Sequence, residues 1–123
     1  MKLITRDTDY AIRAVCYLAK HKKVIISANE LAKYLKMPRP FLRRILQLLG
    51  KKEIVKSYKG QGGGFSLSIS PHKLSLLDII TAFQGPIMLN DHTFKKRMCP
   101  CIKNCKVKKK LDLIEKFMIL KLK

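Results

Sequence analysis

Pro38 to Leu67 reads P-R-P-F-L-R-R-I-L-Q-L-L-G-K-K-E-I-V-K-S-Y-K-G-Q-G-G-G-F-S-L. Its first thirteen residues have the form of a short helix. Pro38 and Pro40 stand where a helix start tolerates proline, and Gly50 stands where a helix end favours glycine. Phe41, Ile45, Leu48 and Leu49 recur at helical spacing and supply a face to bury. Lys36, Arg39, Arg43, Gln47 and Lys51 fall along another face, with Arg44 to one side of it. Ile54 to Tyr58 then reads as a strand, Lys59 to Gly64 as a glycine-rich turn, and F-S-L-S-I-S alternates apolar and hydroxyl residues at period two. A basic helix feeding a two-stranded hairpin is the layout of a recognition helix followed by a wing. The expected fold is mainly α with a small β-hairpin wing: a winged helix-turn-helix.

Upstream, Ser27-Ala28-Asn29-Glu30 predicts a capping box, and Leu31, Tyr34 and Leu35 continue a helix as far as the Lys36-Met37-Pro38 break. Two helices joined by a short break, the second basic, form the helix-turn-helix proper. Before them, Tyr10, Ala14, Tyr17 and Leu18 mark a first helix, in which Cys16 is expected to pack as a small hydrophobe. Val24 to Ile26 is expected to form a short edge strand against the wing. Downstream, Ser75-Leu76-Leu77-Asp78 predicts a second capping box, and Gly85-Pro86 stops that helix. Lys106 to Lys123 reads as a long basic helix with apolar residues at 107, 111, 114 and 118 and a second set at 113, 117 and 120. Such a face is too wide for a lone terminal helix and implies a partner, most economically the same helix of a second subunit. The expected organisation is therefore 1–85 for DNA binding, 86–105 as a cysteine-bearing sensor loop, and 106–123 as a C-terminal dimerisation helix.

The chain has 123 residues and a formal charge of +19, which points to a polyanion, nucleic acid before an anionic membrane surface. The charge is concentrated. From Lys33 to Lys59, Lys33, Lys36, Arg39, Arg43, Arg44, Lys51, Lys52, Lys56 and Lys59 face one acid, Glu53. Arg39, Arg43, Arg44 and Gln47 are the candidates for base-edge and phosphate contacts. Lys56 and Lys59, with Gly62 and Gly63 permitting close backbone approach, are the candidates in the wing. The turn K-G-Q-G-G-G-F is neither a dinucleotide fingerprint, since Phe65 replaces its last glycine, nor a P-loop. No Ser-His-Asp arrangement or acidic pair suggests a catalytic centre, so neither an enzyme nor a small-molecule substrate is expected. M-K-L-I-T-R-D breaks into charge before any long apolar run, and no segment has the roughly 20 apolar residues of a membrane span, so a cytoplasmic protein is expected.

Three cysteines fall within C-P-C-I-K-N-C: Cys99, Cys101 and Cys105, among Lys95, Lys96, Arg97, Lys103 and Lys106. Neighbouring positive charge favours thiolates, the form that binds metals and reacts. A closed zinc site or the usual iron–sulfur cluster takes four ligands. The fourth would come from His92, a carboxylate, a second subunit or an exogenous ligand. Incomplete protein ligation suits a labile, sensing site. An iron–sulfur cluster (2Fe-2S or 4Fe-4S), zinc, and metal-free thiols all remain open on these residues.

T-D-Y-A-I-R-A-V-C-Y-L-A (8–19), M-P-R-P-F-L-R-R-I-L-Q-L-L (37–49), K-G-Q-G-G-G-F-S-L (59–67) and L-S-L-L-D-I-I-T-A-F-Q-G-P (74–86) together resemble the Rrf-two family of bacterial transcription regulators. The family includes the iron–sulfur cluster regulator, the nitric-oxide-sensing repressor and a cysteine-metabolism repressor. The resemblance implies a homodimeric winged-helix protein that binds double-stranded DNA, with paired C-terminal helices and a cysteine loop near the dimer interface. It aligns Cys99 and Cys105 with the second and third family cysteines. Where the first should stand, this chain has Thr93, with His92 beside it, and Cys101 is additional. The resemblance also implies a ligand role for Asp9, offered to the other subunit's cluster. The function expected is that of a sequence-specific transcriptional repressor tuned through the Cys99–Cys105 loop. The alternatives are a winged-helix protein–protein module and a metal-free regulator controlled by a partner protein.

Overall fold

The computed structural model describes residues 2–21, 24–89 and 106–123. The chain divides into two compact units, Met1–Gly85 and Pro86–Lys123.

In the first unit, α1 (Arg6–Lys20) is capped by Thr5, whose hydroxyl accepts the Thr8 N–H, with Asp7 and Asp9 at the favourable positive end of the helix. Its buried side is Thr8, Ala11, Ala14, Val15 and Leu18, so Tyr10 and Tyr17 lie at the margins of the predicted stripe. Cys16 does not pack in the core as expected but is exposed. It follows Val15 by about 100° of helix rotation, which carries it past the buried arc. The start of α1 is tied to the end of the last helix of this unit. The Thr5 N–H donates to Gln84 Oε1 at 2.9 Å, and Gln84 Nε2 donates to the Leu3 carbonyl at 2.9 Å.

Helix α2 (Ala28–Leu35) starts at Ser27, whose hydroxyl accepts the Glu30 N–H at 3.1 Å. Only this half of the predicted box forms, because the Glu30 carboxylate turns to accept the Tyr17 hydroxyl at 3.4 Å. The helix ends at Lys36, a non-glycine residue with φ of 54°. After this turn, α3 (Arg39–Lys51) begins on Pro38. Its buried residues are Leu42, Ile45, Leu46 and Leu49, while Phe41 and Leu48 are half-buried. Gly50 does not end the helix. The left-handed residue beyond α3 is Glu53, at φ 61°.

The wing follows directly. Strand β1 (Val55–Tyr58) pairs antiparallel with β2 (Gly64–Leu67) in the register Val55↔Leu67 to Tyr58↔Gly64. Its base is fixed to the end of α3: the Ile54 N–H donates to the Leu49 carbonyl at 3.0 Å, and the Ser68 hydroxyl to the Glu53 carbonyl at 2.6 Å. The expected edge strand reduces to a single bridge between Ile26 and Phe65, with reciprocal N–H to carbonyl bonds of 2.9 and 2.8 Å. That close approach demands glycine at 64, where an added Cβ would lie 2.3 Å from the Ile26 carbonyl oxygen. A 3-10 turn, Pro71–Lys73, leads to α4 (Leu76–Gln84). Here both halves of the predicted capping box are present: Asp78 N–H to the Ser75 hydroxyl at 3.1 Å, and Ser75 N–H to the Asp78 carboxylate at 2.9 Å. Leu18, Leu31, Leu42, Ile45, Leu46, Leu49 and Ile80 form the buried centre of the unit.

The second unit contains α5 (Lys106–Leu122), which has no buried residue. Leu111, Met118, Ile119 and Leu122 are half-buried, and Val107, Leu113, Ile114, Phe117 and Leu120 are exposed. Among the described residues, no helix is long and apolar enough to cross a membrane.

Candidate nucleic-acid interface

Burying Leu42, Ile45, Leu46 and Leu49 fixes which side of α3 meets solvent. At about 100° per residue, Arg39, Arg43 and Gln47 share an outward arc of about 80°, and Lys51 and Arg44 continue it toward α1. All five are exposed. Arg39, Arg43, Gln47 and Lys51 form the outward strip anticipated from spacing, with Arg44 at its edge, but Lys36, expected on the same face, precedes α3 as the left-handed cap of α2. In the wing, Lys56 and Lys59 are exposed, and the Lys56 ammonium lies 5.5 Å from the Tyr58 ring centroid. Gly62 is exposed with φ of 74°, while Gly63 is packed so closely that a Cβ would lie 2.3 Å from the Tyr58 carbonyl oxygen. Gly63 therefore shapes the turn, and the backbone near Gly62 is open to a ligand.

The edge of α3 nearest α1 carries a feature that spacing did not reveal. The rings of Tyr10 and Phe41 meet edge to face at 5.6 Å. The Arg44 guanidinium lies 5.0 Å from the Phe41 centroid and the Arg6 guanidinium 5.3 Å from it, while Arg13 lies 5.8 Å from Tyr10. Such contacts hold guanidinium groups while leaving them accessible, each contributing about 0.5–1 kcal/mol at exposed sites. The Arg6–Tyr10 spacing is legible in the chain, but the approach of both to Phe41 depends on how α1 crosses α3. Two carboxylates enter this seam: Asp7, 3.6 Å from Arg44, and Asp9, 3.2 Å from Arg13. A groove of about 250 Å³ beside the Asp7–Arg44 pair is lined also by Gln47, Leu48, Lys51 and Phe83. On the far part of α1, Tyr17 stacks near Tyr34 at 4.3 Å and His21 at 4.7 Å. Desolvation, followed by the charge and hydrogen bond of Glu30, pushes the Tyr17 phenol above its ordinary pKa.

Cys99, Cys101, Cys105 and His92 lie outside the described residues. Asp9, their suggested partner, is half-exposed and paired with Arg13. Among the described residues, no group of His, Cys, Asp or Glu side chains is arranged to hold a metal ion.

The chain is similar to an Aquifex aeolicus protein designated an HTH-type transcriptional regulator, 43% identical over 82 residues, covering 66% of this chain and 57% of that protein. It is also similar to the HTH-type transcriptional regulator NsrR of Shouchella clausii, 27% identical over 110 residues, covering 85% of this chain and 72% of the relative. It spans less than two thirds of the Aquifex aeolicus protein and of a Rhodobacter capsulatus Rrf2-like regulator, at 57% and 59% of their lengths. Among solved structures, T. potens IscR superposes with a TM-score of 0.64 at 26% identity, covering 95% of this chain and 79% of that one. CymR, the global cysteine regulator of B. subtilis, gives 0.64 at 26%, covering 91% of both chains. These named relatives are regulators rather than enzymes. The family model described as Rrf2, iron-dependent transcriptional regulator, matches residues 4–123, and the chain belongs to the Rrf2 family.

Proposed function

We propose that this chain works as a homodimeric, sequence-specific DNA-binding repressor whose affinity for DNA is modulated through the Cys99–Cys105 loop. The observation that carries the reading is the outward arc of Arg39, Arg43 and Gln47 on α3, held in fixed relation to the wing lysines by the Ser68 and Ile54 hydrogen bonds. Helix α3 lies in the major groove, where an arginine bidentate to guanine supplies about 1–3 kcal/mol of discrimination. Lys59, Lys56 and the open backbone near Gly62 engage phosphates and set the register without reading sequence. A two-fold dimer joined through α5 presents two recognition helices to half-sites about 34 Å apart. In this reading, residues 1–85 bind DNA, 86–105 sense, and 106–123 dimerise.

The donor set of the loop fits a thiolate-ligated metal centre. Cys99, Cys101 and Cys105 would hold it, with His92 or a partner subunit's carboxylate completing the set. Asp9 is paired with Arg13 through Oδ2 at 3.2 Å, which leaves Oδ1 for a ligand role. An iron–sulfur cluster, when bound, supplies a redox-active and labile group whose state the protein can report. The contribution of this chain is to gather thiols amid Lys95, Lys96, Arg97 and Lys103, which favour the thiolate form.

Two measurements test the proposal. Selection of bound duplexes from a random library should return a two-fold symmetric site, and log K should fall with log salt at a slope of about −7 if the dimer neutralises eight phosphates. A salt-independent complex overturns the groove-binding reading. Visible absorption with iron, sulfide and zinc content on anaerobically purified protein then identifies the loop's occupant. Iron with matching sulfide makes it a cluster site, zinc without colour a structural or thiol-switch site, and no metal leaves thiol oxidation or a partner protein as the signal.

A further inference from the structure

We infer that Asp7 sets the DNA affinity of this protein by holding Arg44 against α1, in competition with the phosphate backbone. The inference rests on the DNA-binding reading above and extends it to a residue outside the recognition helix and wing.

The argument begins with position. Arg44 projects from the α1 edge of α3, about 100° around the helix from Arg43. It therefore faces a strand backbone when Arg39, Arg43 and Gln47 face base edges. Its guanidinium is held on two sides, by the Phe41 ring at 5.0 Å and by the Asp7 carboxylate at 3.6 Å. Among the residues lining the groove beside it, Asp7 is the one acid, set against Arg44 and Lys51. A phosphate arriving there meets a guanidinium already neutralised in part and a carboxylate that repels it. Aromatic contact with Phe41 survives phosphate binding, because a ring face and an anion approach the guanidinium from different directions. The ion pair with Asp7 does not survive unchanged. Both partners are substantially solvent-exposed, so the pair is weak enough to open and strong enough to register in an affinity.

Asp7 also sits in the first turn of α1, where a carboxylate favours the helix, so a plain stability role must be separated from the proposed one. Asp7→Asn, Asp7→Glu, Arg44→Gln and the double variant Asp7→Asn/Arg44→Gln would be titrated by fluorescence anisotropy against a labelled duplex of mixed sequence, across a KCl series. Thermal melts run in parallel. Asp7→Asn should bind about threefold to tenfold more tightly, given two pairs per dimer. Its log K against log salt line should be steeper by about 2, one additional phosphate per subunit. Asp7→Glu, which keeps a charge able to reach Arg44, should stay near wild type. Arg44→Gln should bind more weakly, and adding Asp7→Asn to it should restore only the small part due to direct repulsion, well short of the gain seen with Arg44 present. Unchanged or weaker binding by Asp7→Asn overturns the inference. So does an equal gain in the Arg44→Gln background, which would show that only the overall charge matters. If the wild-type protein fails to bind any duplex, the DNA-binding reading falls and takes this inference with it. If wild type binds and Asp7→Asn matches it, only the inference falls.

Discussion

The two units of this chain treat their apolar residues in opposite ways. In Met1–Gly85, leucines and isoleucines from α1, α2, α3 and α4 converge, and Leu31, Leu42 and Leu49 reach 0% exposure. In α5, Leu113 and Leu120 are 68% exposed and Phe117 is 61% exposed. The chemistry of the side chains is the same, so the difference lies in what surrounds them. The first unit satisfies itself within one chain. Helix α5 leaves its apolar residues exposed, and the proposed dimer would cover them with a second copy of the same helix.

The largest expected effect comes from charging that face. Leu113→Lys/Phe117→Lys should give a monomer by analytical ultracentrifugation and weaken binding to a two-fold site by at least about 100-fold, since the second recognition helix no longer profits from the first. The fold of the first unit should persist by circular dichroism. A variant that remains dimeric would break the comparison and place the subunit contact elsewhere.

The same substitution made in both units sharpens the contrast. Leu42→Ala removes a fully buried side chain and should cost about 2–5 kcal/mol in chemical denaturation, independent of protein concentration. Leu113→Ala should leave the intrinsic stability of the first unit unchanged and instead lower the melting temperature of the whole protein by weakening association, a loss that raising the protein concentration offsets. Equal losses at both sites would mean that α5 is part of a single core.

Within the first unit, the corresponding contrast is between α3 and the wing. Arg43→Ala should lose about 1–3 kcal/mol on the selected site and little on mixed sequence, relaxing preference at one base pair. Lys59→Ala should weaken both duplexes alike and reduce the salt slope by about 2 for the dimer. Interchanged outcomes would exchange the roles of helix and wing.

How much of this was legible in the chain depended on the distance over which each feature is decided. The α4 capping box is local, and it forms as Ser75 and Asp78 foretell. The outward side of α3 follows from one helix's periodicity, and Arg39, Arg43, Gln47 and Lys51 lie where spacing puts them, whereas Lys36 falls in the turn before the helix, where that periodicity no longer applies. The Ser27 box was only half right, because a residue from α1, Tyr17, competes for Glu30 across 13 positions of sequence. Cys16 was misplaced for a related reason: apolar composition marks α1 as a core helix, but only the angle fixed by Ala11, Ala14, Val15 and Leu18 says which side is core. Gly50 looked like a helix end, yet the tie from Ile54 back to Leu49 carries the chain past it and leaves Glu53 to make the left-handed turn. The Arg6–Phe41–Arg44 seam was invisible, since no pattern within one segment states how α1 crosses α3.

The smallest predicted effect concerns the turn between α2 and α3, where stability and binding should part company. Lys36 has φ of 54° and ψ of 50°, and its N–H donates to the Ala32 carbonyl as the cap of α2. A left-handed residue at this position favours glycine, because a Cβ there crowds the backbone. Lysine is therefore a strained choice, and its exposed ammonium precedes the basic face of α3 by three residues. Lys36→Gly relieves the strain but also frees the unfolded chain, so the net gain in stability should be about 0.5–1 kcal/mol. Removing the charge should weaken binding to every duplex by a similar amount and reduce the salt slope, because a phosphate contact carries no sequence information. Denaturation and anisotropy on the same variant read the two effects separately. Opposite signs identify a residue kept for DNA at the expense of the fold. A gain in stability with unchanged binding would leave Lys36 outside the interface and move its near edge to Arg39.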